Sequence, residues 1–162
     1  MNSVEPSGHD RAEDIYVIDE VSSFPSSGSE SGTELSLRIA ALSDVGRTRK
    51  HNEDAWLVQT PVFVVADGMG GHDAGDLASR AVVKSFSELA NQTVVRFEDV
   101  DRSVKGACDA VAMLETNDRG APGSTVVAAV LTEQDGMPFW LIANVGDSRA
   151  YLWHGGELEQ IS

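Results

Sequence analysis

The chain has a single cysteine, Cys108, among its 162 residues. A lone thiol cannot form an internal disulfide, which fits a reducing cytosol. Positive charge is also scarce: 12 Lys and Arg stand against 26 Asp and Glu, a formal net charge of −14. An acidic chain without a basic stripe argues against nucleic acid and anionic membrane as partners. No apolar run approaches the roughly 20 residues of a membrane span. The N-terminus offers neither the basic n-region nor the apolar h-region of a secretory signal. These absences lead to the expectation of a soluble, cytoplasmic protein.

What is present suffices for one domain with a sizeable core, since 41% of the residues are apolar. Residues 1–34 read as a separate, disordered tail. The stretch is rich in Ser and Gly, and it holds eight acids against one base, Arg11. Such composition buries too little apolar area to offset chain entropy. Its one interruption, Ile15-Tyr16-Val17-Ile18, admits three readings: a docking motif, an added edge strand, or a stray cluster in a solvated tail.

The folded part is read as residues 35–162. Leu35, Leu37, Ile39 and Ala41 alternate with polar or small residues, as in a half-buried strand. Ser43 to Gly46 is turn chemistry. The basic run Arg47 to His51 then leads into Asn52-Glu53-Asp54 and a second strand, Ala55–Gln59. Helical spacing of apolar residues predicts helices over Asp73–Asn91 and Asp99–Glu115, with Leu77, Ala78, Val82 and Phe86 on the packing stripe of the first. Cys108 is placed on the apolar face of the second. Ser124–Thr132 reads as a central strand, Phe139–Val145 as another buried strand, and 150–161 as a hairpin. Strands linked by hairpins around two helices favour α+β over a doubly wound sheet.

The most informative stretch is VFVVADGMGG, Val62 to Gly71. Its β-branched residues suit a strand buried on both faces. The strand ends on Asp67, and glycines follow at once. A carboxylate at the end of a buried strand is costly to desolvate unless it is paired or bound to a metal. A structural turn with an exposed Asp is the plainer alternative. A dinucleotide cradle would need a third glycine at position 73, which holds Asp73, and a P-loop would need Lys where His72 stands. A second strand end repeats the pattern at Gly146-Asp147, and Glu53-Asp54 opens a third strand. Carboxylates gathered from separate strands suit Mg²⁺ or Mn²⁺, and a nearby Arg offers a fork for phosphate. Together they point to metal-assisted phosphoryl chemistry, most simply hydrolysis. Cysteine-based phosphatase chemistry is excluded, because Met113 and Leu114 stand where a phosphate-binding Arg would follow Cys108. Asp99-Val100-Asp101 resembles an aspartyl-phosphate motif, but no apolar strand precedes it.

Four segments occur in order: SDVGRTRKHNEDAW, FVVADGMGGHDAG, GSTVV and ANVGDSRAYLW. In these the chain resembles the bacterial branch of the metal-dependent protein phosphatases (PPM, type 2C), over about Leu35 to Ser162. The resemblance implies two stacked antiparallel β-sheets flanked by α-helices, an αββα sandwich. It implies hydrolysis of phosphoserine and phosphothreonine on proteins, opposing a Ser/Thr kinase, with two Mn²⁺ or Mg²⁺ ions and a third more weakly held. Carried over by motif, Asp67 would bridge two metals and the Gly68 carbonyl would face one of them. Glu53 would hold a metal or its water, with Asp54 in support. Arg49 would grip the substrate phosphate, and Asp147 would belong to the third metal. A metal-activated water would attack phosphorus in line, without a phosphoenzyme. The family's general-acid His position, directly after the Asp-Gly pair, is Met69 here, so that role is not transferred to His72. The family places two more metal-binding aspartates late in its domain, whereas the last Asp here is Asp147. The sequence therefore reads as the N-terminal portion of such a domain. The alternative is a catalytically incomplete PPM-like module that acts as a regulatory protein-binding domain.

Overall fold

A computed structural model describes residues 16–24, 33–70, 73–114, 121–135 and 137–162. Strands β1 (Tyr16–Phe24) and β2 (Thr33–Ala41) form an antiparallel pair in which Tyr16 stands opposite Ala41. A larger sheet follows the order β3 (Asp54–Gln59), β4 (Val62–Met69), β6 (Val126–Gln134) and β7 (Met137–Val145), and the short β5 (Gly123–Ser124) pairs with the end of β4. The chain leaves β4 for α1 (Asp73–Ser87), a 3-10 turn over Glu88–Asn91, and α2 (Phe97–Ala112). A hairpin of β8 (Tyr151–His154) and β9 (Glu157–Gln160) follows β7. Every pairing among the described strands is antiparallel, so the α+β class holds. No helix among the described residues is long and apolar enough to cross a membrane.

The core lies between the helices and one face of the large sheet. Ala74, Ala78, Val82 and Phe86 recur at four-residue spacing along α1 and are buried. Val82 and Phe86 join Val62, Val64 and Ala66 of β4 and Val126, Ala128 and Val130 of β6, with Val100 and Ala107 of α2 closing the cluster. Buried Thr132 interrupts this apolar set at little cost, because its hydroxyl donates to the Val95 carbonyl.

Four expectations need correction. The stretch read as a disordered tail contains β1, so of the readings offered for residues 15–18 the added strand describes Tyr16–Ile18; residues 1–15 and 25–32 lie outside the described set. Strand β4 is buried on one face only, with Val65 53% exposed. The helices cover the face of Val62 and Val64, while Phe63 and Val65 look into a groove of about 330 Å³ shared with Ile39, Leu42, Trp56 and Val127. Strand β7 is likewise only partly covered: the helices reach Leu141 and Ala143 but not Phe139 further along the same face, and Trp140 on the opposite face, beside Phe63, is 46% exposed. On the helices, Leu77 and Cys108 are exposed, since the sheet is met by the narrower row of Ala78, Val82 and Phe86 on α1, and α2 buries Val100, Ser103 and Ala107 chiefly on the α1 side.

Helix α2 carries its own pH dependence. The Asp99 carboxylate accepts from the Arg96 backbone N–H at 3.1 Å and from Arg102 Nη1 at 3.0 Å. The backbone bond, then Arg102, holds Asp99 below its ordinary value of 3.8. A carboxylate depressed in the folded state stabilises above its unfolded pKa, and that contribution disappears as pH falls through the lower folded value. Asp99→Ala is therefore expected to lower Tm by a few degrees at pH 7. The gap to wild type should close as thermal melts are taken below pH 3.8.

Candidate active site

The antiparallel register of β3 and β4 sets Asp54 directly opposite Asp67. The two-residue connection Thr60-Pro61 fixes that register from Gln59 opposite Val62 onward. Like charges facing each other across a strand pair repel. The Asp54 carboxyl responds by rising above the usual carboxylate range. Burial is the largest cause, and the Asp67 charge, a hydrogen bond with the Asp67 side chain, and Glu53 all act in the same direction. The Ser43 hydroxyl, which donates to Asp54 Oδ2 at 3.1 Å, opposes the rise. Asn52 organises this corner: its Nδ2 donates to Ser43 Oγ at 2.6 Å and its Oδ1 accepts the Asp54 N–H at 3.0 Å. Ser43→Ala is accordingly expected to raise the Asp54 pKa further, measurable as an upward shift of its carboxyl carbon titration by NMR.

Glu53 joins the pair from the loop before β3. Its backbone carbonyl accepts the Gly68 N–H at 3.2 Å, tying it to the strand end that carries Asp67. Its Oε1 is buried without a hydrogen-bond partner. An orphaned buried carboxylate oxygen is expensive. The first turn of α1 lies against it, so a Cβ at Gly75 would sit 2.5 Å from Glu53 Oε1. A Cβ at Gly68 would sit 2.1 Å from the Gly75 carbonyl oxygen. Glycine at both positions lets strand, loop and helix meet at one point.

The strand end is also clamped from β5 and β6. Thr125 Oγ1 accepts the Asp67 N–H at 3.1 Å, and the Thr125 N–H donates to the Asp67 carbonyl at 2.9 Å. Thr125 Oγ1 also shares a hydrogen bond of 2.7 Å with Ser148 Oγ, next to Asp147. Asp147 itself is exposed in the turn after β7, and Arg49 is exposed in the loop 42–53.

Of the residues singled out in the sequence, Asp54 and Asp67 face each other, Glu53 and Gly68 are bonded through their main chains beside them, and Asp147 is linked to Asp67 through Ser148 and Thr125. His72 lies outside the described residues. Among the described residues no three His, Cys, Asp or Glu side chains are grouped as a ready-made metal site. The donors that are present still fit a hard divalent cation. They are oxygens only, one is buried and unpartnered, and a cation would offset the repulsion between the two facing carboxylates. Gly75 was missed in the sequence, although a glycine in the first turn of a helix, costing about 1 kcal/mol against alanine, is itself a signal. Thr125 and Ser148 were missed because nothing in their spacing shows that they touch.

The protein phosphatase 2C family matches residues 46–162. A serine/threonine phosphatase, stp, of Listeria monocytogenes is 35% identical over an alignment of 133 residues that covers 74% of this chain and 51% of the relative. The chain thus spans about half the length of that relative. The crystal structure of the Mycobacterium tuberculosis serine/threonine phosphatase PstP/Ppp superposes with a TM-score of 0.64 at 25% identity, covering 91% of this chain and 54% of that one. The catalytic domain of PstP with two manganese ions gives the same TM-score of 0.64 at 24% identity, over 91% of this chain and 55% of that one, and shows the shared fold.

Proposed function

The chain belongs to the protein phosphatase 2C family, and on that footing we propose that it forms part of a centre that hydrolyses phosphoserine and phosphothreonine in proteins. The observation that carries the reading is the pairing of Asp54 with Asp67 across two strands, next to a Glu53 whose buried Oε1 has no partner. Asp67, Glu53 and the Gly68 carbonyl would hold Mn²⁺ or Mg²⁺, with Asp54 supporting them and Asp147 serving a further ion. Such ions, when bound, lower the pKa of a coordinated water and neutralise charge on the phosphoryl oxygens.

The remaining roles fall to this chain's own groups. Arg49 sits in an exposed loop that ends at Glu53, where its planar fork can take two phosphate oxygens. Asn52 and Ser43 orient the Asp54 carboxyl, and Thr125 fixes the main chain of Asp67 from both sides. Gly68 and Gly75 let the helix approach closely enough to bury the Glu53 side chain. On this reading the protein opposes a Ser/Thr kinase and acts in the cytoplasm. The alternative of a regulatory binding module gains no support from the relatives, which carry phosphatase names.

The test is hydrolysis of a phosphothreonine peptide by the full-length protein, with Mn²⁺ and with chelator. Turnover that needs Mn²⁺ supports the reading. Metal-independent turnover, or none with metal present, sinks it.

A further inference from the structure

Two segments far apart in the chain are wired to a single side chain. Thr125 is 9% exposed, and its hydroxyl oxygen is shared by the Asp67 N–H at 3.1 Å and Ser148 Oγ at 2.7 Å. A hydroxyl has one donor and two acceptor sites, so this oxygen can serve both neighbours at once. The Thr125 N–H adds the bond to the Asp67 carbonyl at 2.9 Å. On the other side, the Ser148 carbonyl accepts Asn144 Nδ2 at 2.6 Å, which pins the turn back onto β7. The turn also approaches Thr125 closely. Gly146 takes φ +103, and a Cβ there would lie 2.9 Å from Thr125 Cγ2. Asp147 stands between Gly146 and Ser148, so both of its neighbours rest on Thr125.

We infer that the Thr125–Ser148 hydroxyl pair is a positioning device that locks the Asp147 turn to the main chain of Asp67, so that the two carboxylates move as one unit. The inference rests on the phosphatase reading above, in which both carboxylates face metal. Neither hydroxyl is assigned contact with substrate. Each acts through the acid it holds, and outer contacts of this kind typically alter metal affinity 10–100-fold when lost.

The experiment uses the full-length protein with Thr125→Val, Ser148→Ala, the double variant, and Thr125→Ser as the conservative control. Mn²⁺ binding is read by calorimetry, kcat and KM with a phosphothreonine peptide, and Tm without metal. Thr125→Val and Ser148→Ala are each expected to weaken Mn²⁺ binding by about 10-fold or more and to lower kcat, with KM little changed. The double variant should lose no more than the worse single one, because both remove the same link. Thr125→Ser, which keeps the oxygen, should restore the affinity. A fall in Tm with Mn²⁺ affinity unchanged in Ser148→Ala would overturn the inference, as would additive losses. If wild type binds no Mn²⁺, the phosphatase reading fails as well. If wild type binds and turns over while both hydroxyl variants match it, only this inference fails.

Discussion

Asp67→Asn in the full-length protein is expected to lower Mn²⁺-dependent phosphopeptide hydrolysis by about 10³-fold, roughly 4 kcal/mol of barrier. The substitution is nearly isosteric. It leaves the backbone clamp of Thr125 intact, since both of those bonds use the Asp67 main chain. What it removes is one negative charge from a pair of facing acids. The folded state loses a repulsion of the kind worth about 0.2–1 kcal/mol across strands, so metal-free stability should hold or rise. The Asp54 carboxyl, held up in part by the Asp67 charge, should titrate lower in the variant. Stability up and activity down is a signature that simple misfolding does not produce. Thermal melts with and without Mn²⁺ read both halves: the variant should melt no earlier than wild type in chelator and gain little from metal. Retained turnover would remove Asp67 from the metal centre.

The sequence made the ends of strands easier to read than their surroundings. Asp67 was legible because an apolar run stops on a carboxylate and a glycine, and the same rule found Asp147. The pairing of Asp54 with Asp67 was also within reach, since a two-residue connection leaves one register, counted back from Gln59 and forward from Val62. Burial was misread where composition stands in for coverage. Apolar content marks β4 and β7 as strands that could be buried on both faces, but the helices described here cover only one. Strand β1 was obscured for the opposite reason: acids along Tyr16–Phe24 hide a pattern whose partner, β2, decides whether it pairs. Contacts such as Gly75 with Glu53, or Thr125 with Ser148, depend on the approach of elements distant in sequence. Local propensity carries no information about them.

Those approaches are tested most sharply by alanine at the two facing glycines. At Gly68 the added Cβ would lie 2.1 Å from the Gly75 carbonyl oxygen and 2.6 Å from the Glu53 carbonyl oxygen. Both obstacles are backbone, one in α1 and one in the loop before β3, and neither can rotate aside. Helix and strand must separate, so Gly68→Ala is expected to cost roughly 3 kcal/mol, several degrees of Tm, at the upper end for overpacking. At Gly75 the nearest obstacles are Glu53 Oε1 at 2.5 Å and Cδ at 2.8 Å, the far end of a flexible side chain, with the Gly68 carbonyl carbon at 3.0 Å. Alanine also suits a helix better than glycine by about 1 kcal/mol. Gly75→Ala should therefore cost clearly less than Gly68→Ala in denaturant melts, because the carboxylate can swing aside and the Gly68 backbone need give by only a few tenths of an ångström. Its Mn²⁺ affinity should nonetheless fall by about 10–100-fold, as for a displaced ligand or its support. Equal destabilisation by the two variants would mean that Glu53 cannot move, and that its buried oxygen is held by packing rather than kept for a cation. Unequal destabilisation, with metal affinity lost in the still-folded Gly75→Ala, would separate what the close approach does for the fold from what it does for the site.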